Sequence, residues 1–243
     1  MRLKNQVALV TGGSRGIGRA ICHALDAEGA RVIVHYHQNR AAAEEVQAGL
    51  RQPATLAQAD IGSAAAITRM VAALPDNSID ILVNNAGVWR NTPMGSSEEA
   101  VVDQLLDTNL KGVFWITQAL LPKLREGARI VNMSSVAGRI GIPNGRSLYG
   151  ATKAAVDSLT KSWALELAPR KIRVNALAPG FVDTDMTAEL MGDPESKKWA
   201  LSLSPLGRFA TPEDCARLAV FLATDDSASI TGQSFNFSAG SFV

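Results

Sequence analysis

An excess of either charge is missing from this sequence: 24 basic and 23 acidic side chains nearly cancel over 243 residues. No summed field would draw such a chain to nucleic acid or to an anionic membrane, so the expected ligand is small. Cysteine is scarce as well. Cys22 and Cys215 lie far apart, each in a segment of helical pattern, which argues against a disulfide framework or a metal knuckle and suits a reducing cytosol. No stretch is long and apolar enough to span a bilayer, and the opening MRLKNQVALVTGG holds no apolar run of signal-peptide length, so a cytoplasmic protein is expected. Linkers, internal repeats and low-complexity tracts are lacking too. With 47% hydrophobic and 19% charged residues, the chain fits one α/β domain over 1–243 with a well-covered interior.

What is present is an alternation. Short β-branched runs at Val7–Thr11, Arg31–His35, Thr55–Gln58, Ile81–Asn84, Arg129–Met133, Arg173–Ala178 and Ser234–Phe237 imply about seven strands. Between them, segments such as Gly16–Glu28, Ala41–Arg51 and Ser63–Ala73 carry apolar residues at helical spacing. Strands alternating with helices require crossovers, and right-handed crossovers give a doubly wound parallel sheet, Rossmann-like, with ligands at the carboxyl ends of the strands. The loosest stretch is Thr184–Pro205, where Gly192, Asp193 and Pro194 interrupt two short helical patterns; a substrate lid is expected there.

The first strand runs into Thr11-Gly12-Gly13-Ser14-Arg15-Gly16-Ile17-Gly18, and a helix follows. Glycines there let the backbone turn tightly beside a pyrophosphate, whose charge the free N–H groups of the helix start would favour. The spacing is not G-x-G-x-x-G, and no G-K-[ST] follows, so a nucleoside triphosphate loop is disfavoured. An ordinary strand-to-helix turn is the alternative. An acidic residue at the end of the second strand would select NAD, yet the chain there reads His35, Tyr36, His37, Gln38, Asn39, Arg40, with the first carboxylate at Glu44. Arg15 could pair with a ribose phosphate through its planar fork, and NADP(H) is therefore preferred. His35 and His37 alternate along the strand with no third ligand in view, so no metal site is expected.

After the fifth strand comes Asn132-Met133-Ser134-Ser135, and fourteen residues beyond Ser135 comes Tyr149-Gly150-Ala151-Thr152-Lys153. Residues four apart share a helix face, so the Lys153 ammonium can lie near the Tyr149 phenol and favour its phenolate. Such a phenol could give a proton to a carbonyl oxygen as hydride arrives, with Ser135 holding the same oxygen. Alone, Tyr-x-x-x-Lys is an unremarkable helix pair. Together with the glycine loop and the Ser-Ser strand end, in this order, it reads as an active site.

With these pieces the chain resembles the short-chain dehydrogenases/reductases over nearly its whole length. TGGSRGIG (11–18) is similar to the family's cofactor loop, NNAG (84–87) to its segment after the fourth strand, and YGATK (149–153) to its active-site signature. The resemblance implies a catalytic set of Asn109, Ser135, Tyr149 and Lys153, with Asn109 holding a water that links Lys153 to solvent. It also implies cofactor contacts from Gly12, Ser14, Arg15, Gly16, Ile17 and Gly18, from Tyr36 and His37, from Asp60 and Ile61 at the adenine, and from Asn85, Ala86 and Gly87. Pro179, Gly180, Val182 and Thr184, in PGFVDTDM, complete the set near the nicotinamide, with Tyr149 and Lys153 at its ribose. Each has a plainer alternative: Asn109 could kink its helix, Asp60 could cap the helix starting near Ser63, and NNAG could be a tight turn.

Within that family the chain resembles the 3-oxoacyl-[acyl-carrier-protein] reductases, through PGFVDTDMT and PLGRFATPEDCARLAVFLATDDSASITGQ. An acyl-carrier-linked carbonyl substrate in fatty acid synthesis is implied, with Lys123, Arg125, Arg170 and Lys171 as candidate contacts for the acidic carrier. Two features depart from that group: the loop from Ser135 to Tyr149 is one residue longer, and SFNFSAGSFV lacks a double glycine. Trp89, Pro143, Asn144, Met186 and Leu190 are candidate pocket neighbours. A homotetramer, or a homodimer, is implied, and the small residues Ala151, Ala155, Ser158 and Ser162 would let a second helix approach. The rival readings are a broader carbonyl reductase or alcohol dehydrogenase on other ketones, sugars or steroids, and a non-catalytic NADP-binding regulator, which would be expected to lack Tyr149 or Lys153.

Overall fold

A computed structural model describes residues 1–74 and 79–241, without the side chains of residues 189 and 190. Seven parallel strands form one sheet in the order β3-β2-β1-β4-β5-β6-β7, where β1 is Val7–Val10, β2 Arg31–Tyr36, β3 Thr55–Gln58, β4 Ile79–Asn84, β5 Leu124–Met133, β6 Arg173–Pro179 and β7 Ser234–Phe237. The doubly wound arrangement follows from the strand sequences. Inner strands such as Val-Ala-Leu-Val and Ile-Asp-Ile-Leu-Val-Asn are buried at every position, as a sheet covered on both faces requires.

Alternation then sorts the side chains into two cores. Ala8, Val10, Val32, Val34, Ile81 and Val83 pack on one face against Ile21, Cys22 and Leu25 of α1 (Gly16–Ala27) and Cys215, Ala219 and Val220 of α9 (Pro212–Ala223). Val7, Leu9, Ile33, Leu82 and Ile130 pack on the other against Ile67 and Met70 of α3 (Ala64–Ala73), Val113 and Ile116 of α5 (Gly112–Leu120), and Val156 and Trp163 of α6 (Ser147–Glu166). Each Leu, Ile or Val so removed from water contributes about 1.5–3 kcal/mol against chain entropy. Helix starts are fixed locally: the side chains of Asn39, Ser63, Asp193 and Thr211 cap α2 (Arg40–Ala48), α3, α8 (Pro194–Ser202) and α9. Ser63 caps α3, leaving Asp60 to accept from Gly62 N–H at 2.9 Å in a tight turn.

The fifth strand begins five residues before the sequence pattern suggests, because Leu124-Arg125-Glu126-Gly127-Ala128 carries polar residues and a left-handed glycine (φ 75°) within an extended run. A pairing irregularity between β4 and β5 lies at Ile79/Ile81. Strand order reverses between β1 and β4, and the crevice at their carboxyl ends is where a doubly wound sheet receives its ligand. Among the described residues no helix is long and apolar enough to cross a membrane.

Candidate active site

The turn after β1 is built for close backbone approach. Gly12 is left-handed (φ 63°), and a Cβ there would come within 3.0 Å of Ala86 Cα. A Cβ on Gly18 would lie 2.1 Å from the Gly12 carbonyl oxygen, so α1 can seat against the loop only with glycine at that position. The segment after β4 holds the loop from below: the Thr11 hydroxyl oxygen accepts from Asn85 N–H (2.9 Å) and Ala86 N–H (3.0 Å), and Asn85 Nδ2 donates to Thr11 O (2.9 Å) and Gly12 O (3.2 Å). The first-turn N–H groups of α1 have no intrahelical acceptor, and no side chain caps them. A cradle that a single Cβ would fill, closed by free amides, fits a dinucleotide pyrophosphate.

Tyr36 and Ile61 send their side chains into the two cores, so at these positions the backbone borders the crevice. His37 and Asp60 stay exposed, 3.9 Å apart across the ends of β2 and β3. Arg40 pairs with Glu44 one turn on (2.8 Å), and Arg15 lies 3.8 Å from Asp185 in the segment after β6. That segment arches over the loop: a Cβ on Gly16 would lie 3.5 Å from the Thr184 methyl, Val182 is buried and bridges Ala210, and Gly180 packs against Ser238.

Tyr149, Lys153 and Ser135 converge beside this cradle. Tyr149 and Lys153 share the buried face of α6, with the ammonium 5.8 Å from the phenol ring centre. Lys153 Nζ donates to Met133 O (2.8 Å) at the end of β5, and a Cβ on Gly87 would lie 3.6 Å from it. Ser135 Oγ accepts from Ala137 N–H (3.2 Å) and donates to Pro179 O (3.3 Å), and its hydroxyl is close enough to the Tyr149 phenol to lower that group's pKa. Burial dominates the electrostatics. It pushes the Tyr149 phenol up to about 12, against the Ser135 hydrogen bond, and brings the Lys153 ammonium down to about 8, partly offset by Asp157. Helical spacing predicts that Lys153 favours the phenolate; in the structure burial acts the other way and pushes the Tyr149 phenol up.

Asn109 occupies a π-helical turn, Asp107–Lys111, between α4 (Glu99–Leu106) and α5. Its amide grips the backbone of Val88 in both directions, accepting from Val88 N–H and donating to Val88 O, each at 2.8 Å, with Thr152 Oγ1 at 3.5 Å. Helix distortion and a place in the site thus occur together, as π turns often do. Trp89, next along, tilts against Tyr149 at 4.9 Å between ring centres, and the Arg146 guanidinium lies over the Trp89 ring at 5.0 Å. Of the other pocket candidates, Met186, Pro143 and Asn144 are exposed, and the Leu190 side chain lies outside the described residues.

Two groups in the site escaped the sequence reading. The Thr11 hydroxyl holds the Asn85 and Ala86 amides, and the His35 ring is buried beneath the loop. The candidate carrier contacts are at the wrong end of the sheet. Lys123 and Arg125 lie at the start of β5, and Arg170 and Lys171 just before β6, a strand's length, roughly 20–30 Å, from the carboxyl ends. There Arg125 faces Asp80 (3.4 Å), Lys171 faces Glu126 (2.6 Å), and Arg170 donates to the Leu121 and Leu124 carbonyls.

A family model described as enoyl-(acyl carrier protein) reductase matches residues 12–241. A short chain dehydrogenase from Burkholderia cenocepacia, solved in complex with NADP, superimposes with a TM-score of 0.93 at 34% identity, over 99% of both chains. The chain belongs to the short-chain dehydrogenase/reductase family. Among relatives of this short-chain dehydrogenase/reductase, the 3-oxoacyl-[acyl-carrier-protein] reductase of Synechocystis sp. is 43% identical over 98% of this chain and 97% of its own. The 3-oxoacyl-[acyl-carrier-protein] reductase FabG of Staphylococcus aureus is 42% identical over 97% of this chain and 98% of its own.

Proposed function

We propose that this short-chain dehydrogenase/reductase reduces the ketone of a 3-oxoacyl thioester on acyl carrier protein, with NADPH as cofactor and Tyr149 as the proton donor. One observation carries the reading: a buried phenol, a serine hydroxyl beside it and an ammonium one helical turn away stand next to a glycine cradle shaped for a dinucleotide. The cradle from Gly12 to Gly18 would hold the pyrophosphate, the β2 and β3 ends with His37, Arg40 and Asp60 the adenosine half, and Asn85–Gly87 with Pro179–Thr184 the nicotinamide half. No carboxylate precedes Glu44 after β2, which favours a 2′-phosphate. When bound, the cofactor supplies a hydride from its nicotinamide.

The chain's own residues do the rest. Ser135 holds the substrate oxygen and fixes its distance from the nicotinamide, and Tyr149 donates the phenolic proton as charge builds on that oxygen. Lys153 stabilises the resulting phenolate and orients the cofactor ribose. Asn109, clamped on Val88, shapes the route by which a proton from solvent returns through Lys153 to the Tyr149 phenolate. Trp89 and Arg146 wall the pocket, while α7 (Ala188–Gly192) and α8 form a cover, with Phe181 against Trp199 at 6.1 Å between ring centres. Cys22 and Cys215 are buried thiols, with Cys215 pushed up to about 12 by burial, in keeping with a reducing cytoplasm.

The family model's description favours a second reading, reduction of an enoyl thioester. The deciding assay follows NADPH oxidation with an acetoacetyl thioester, a crotonyl thioester and an unrelated monoketone, then repeats it with NADH. Turnover is expected with the first and with NADPH. Turnover of the crotonyl thioester alone would establish the second reading, and good turnover of the monoketone without the acetoacetyl thioester would establish a broader carbonyl reductase.

A homotetramer is part of the proposal. Ala151, Ser158 and Ser162 face solvent on α6, opposite the side that packs on the sheet, and Leu165 on the same helix is 78% exposed. Phe114 and Trp115 of neighbouring α5 are partly exposed too. Sedimentation velocity is expected to show four chains, and Leu165→Glu to shift the population toward smaller species. A monomeric parent would contradict it.

A further inference from the structure

His35 is the residue least explained by the reaction. It sits in the middle of β2's buried run, 1% exposed, where a polar ring must have its hydrogen bonds satisfied inside the protein. Both ring nitrogens are engaged. Nδ1 accepts from Gly12 N–H at 3.0 Å, which requires the proton on Nε2, and Nε2 lies 3.1 Å from Ala59 O, to which it donates. Residue 35 also receives the next amide of the loop, since Gly13 N–H donates to His35 O at 2.8 Å. Two consecutive N–H groups of the glycine turn are thus drawn onto β2 and away from the crevice.

The position of these bonds matters. Gly12 is the left-handed residue whose approach to Ala86 shapes the pyrophosphate cradle. Ala59 immediately precedes Asp60, at the end of β3 where the adenine is expected. One imidazole therefore spans the two seats. Burial holds the ring neutral, with its pKa brought down to about 4, so the bridge keeps one tautomer across the neutral range.

We propose that His35 is a positioning residue for the dinucleotide: its Nδ1, kept as an acceptor by the Nε2 bond to Ala59 O, holds the Gly12 amide and so fixes the shape of the glycine turn at the pyrophosphate seat. The proposal rests on the cofactor reading above. It concerns binding of the nucleotide and leaves the proton chemistry at Tyr149 untouched.

Two substitutions separate this role from simple core packing. In His35→Asn the amide oxygen can take the place of Nδ1 and accept from Gly12, losing the bond to Ala59. In His35→Gln the amide nitrogen can take the place of Nε2 and donate to Ala59, losing the bond to Gly12. NADPH affinity is read by fluorescence titration, kcat by NADPH oxidation, and Gly12 amide exchange without nucleotide. His35→Asn is expected to bind NADPH within about threefold of the parent, whereas His35→Gln loses about tenfold, the size of one unmade buried hydrogen bond. In His35→Gln the Gly12 amide exchanges faster, while kcat at saturating NADPH stays within about twofold. Parent-like NADPH affinity in folded His35→Gln, or equal losses in the two variants, would overturn the proposal. If His35→Gln does not fold, His35→Asn decides alone, a tenfold loss there overturning the proposal and retained affinity supporting it. A parent that binds NADH and not NADPH would refute the cofactor reading separately; the same comparison with NADH would still judge His35, because both nucleotides share the adenine and pyrophosphate.

Discussion

Tyr149→Phe is expected to bind NADPH within about twofold of the parent and to lose about a thousandfold or more in kcat, the range of a positioned general acid. Phenylalanine keeps the ring that packs on Trp89 and lies beside the Lys153 ammonium, so the local fold has no reason to change. What disappears is the phenol beside Ser135, and with it the proton for the nascent alkoxide. With its pKa pushed up to about 12, that proton is present throughout the assay range. Stopped-flow turnover beside a fluorescence titration separates the two quantities. Unchanged turnover would reject Tyr149 as the acid.

Lys153→Met should lose at least about a hundredfold in turnover while becoming more stable at neutral pH. The Lys153 pKa is lowered by burial to about 8 from an ordinary 10.5. Between those values the unfolded chain holds more protons than the folded one, so the parent gains stability as pH rises through that window. Below about 8 the folded protein carries a buried ammonium at a cost on the order of 3 kcal/mol, offset in part by the bond to Met133 O. Methionine removes that charge. Calorimetry should therefore find the variant's melting temperature highest relative to the parent near pH 6, with the gap closing toward pH 10. The parent's reductase activity should fall above pH 8 as the ammonium deprotonates. A gap that is flat with pH would show that Lys153 is not held against desolvation.

The fold was legible because its signal is coarse. Inner strands buried on both faces are mostly apolar, and Val7–Val10 and Ile81–Asn84 announce themselves that way, whereas the start of β4 at Ile79-Asp80 does not. The glycine loop and the Tyr149–Lys153 pair were legible because backbone approach and helical spacing leave marks in the residue types. Other features leave no such mark. The π turn at Asp107–Lys111 depends on how Asn109 meets Val88 across the fold, and helical periodicity does not encode it. His35 and His37 read alike as alternating polar residues, because residue type does not show which ring will find partners inside; the His35 ring is buried because Gly12 N–H and Ala59 O receive it. The basic residues near β5 and β6 failed for a different reason. Strand direction alone puts residues that precede a strand at the edge away from the ligand, and charge was weighed without it.

The most direct measurement uses NADPH deuterated at both C4 positions of the nicotinamide, with an acetoacetyl thioester, and mass spectrometry and NMR of the product. The account predicts a 3-hydroxyacyl thioester carrying one deuterium on the carbinol carbon, and an unlabelled, exchangeable hydroxyl proton. Deuterium at any other carbon, its loss to water, or a product without the hydroxyl group would contradict it.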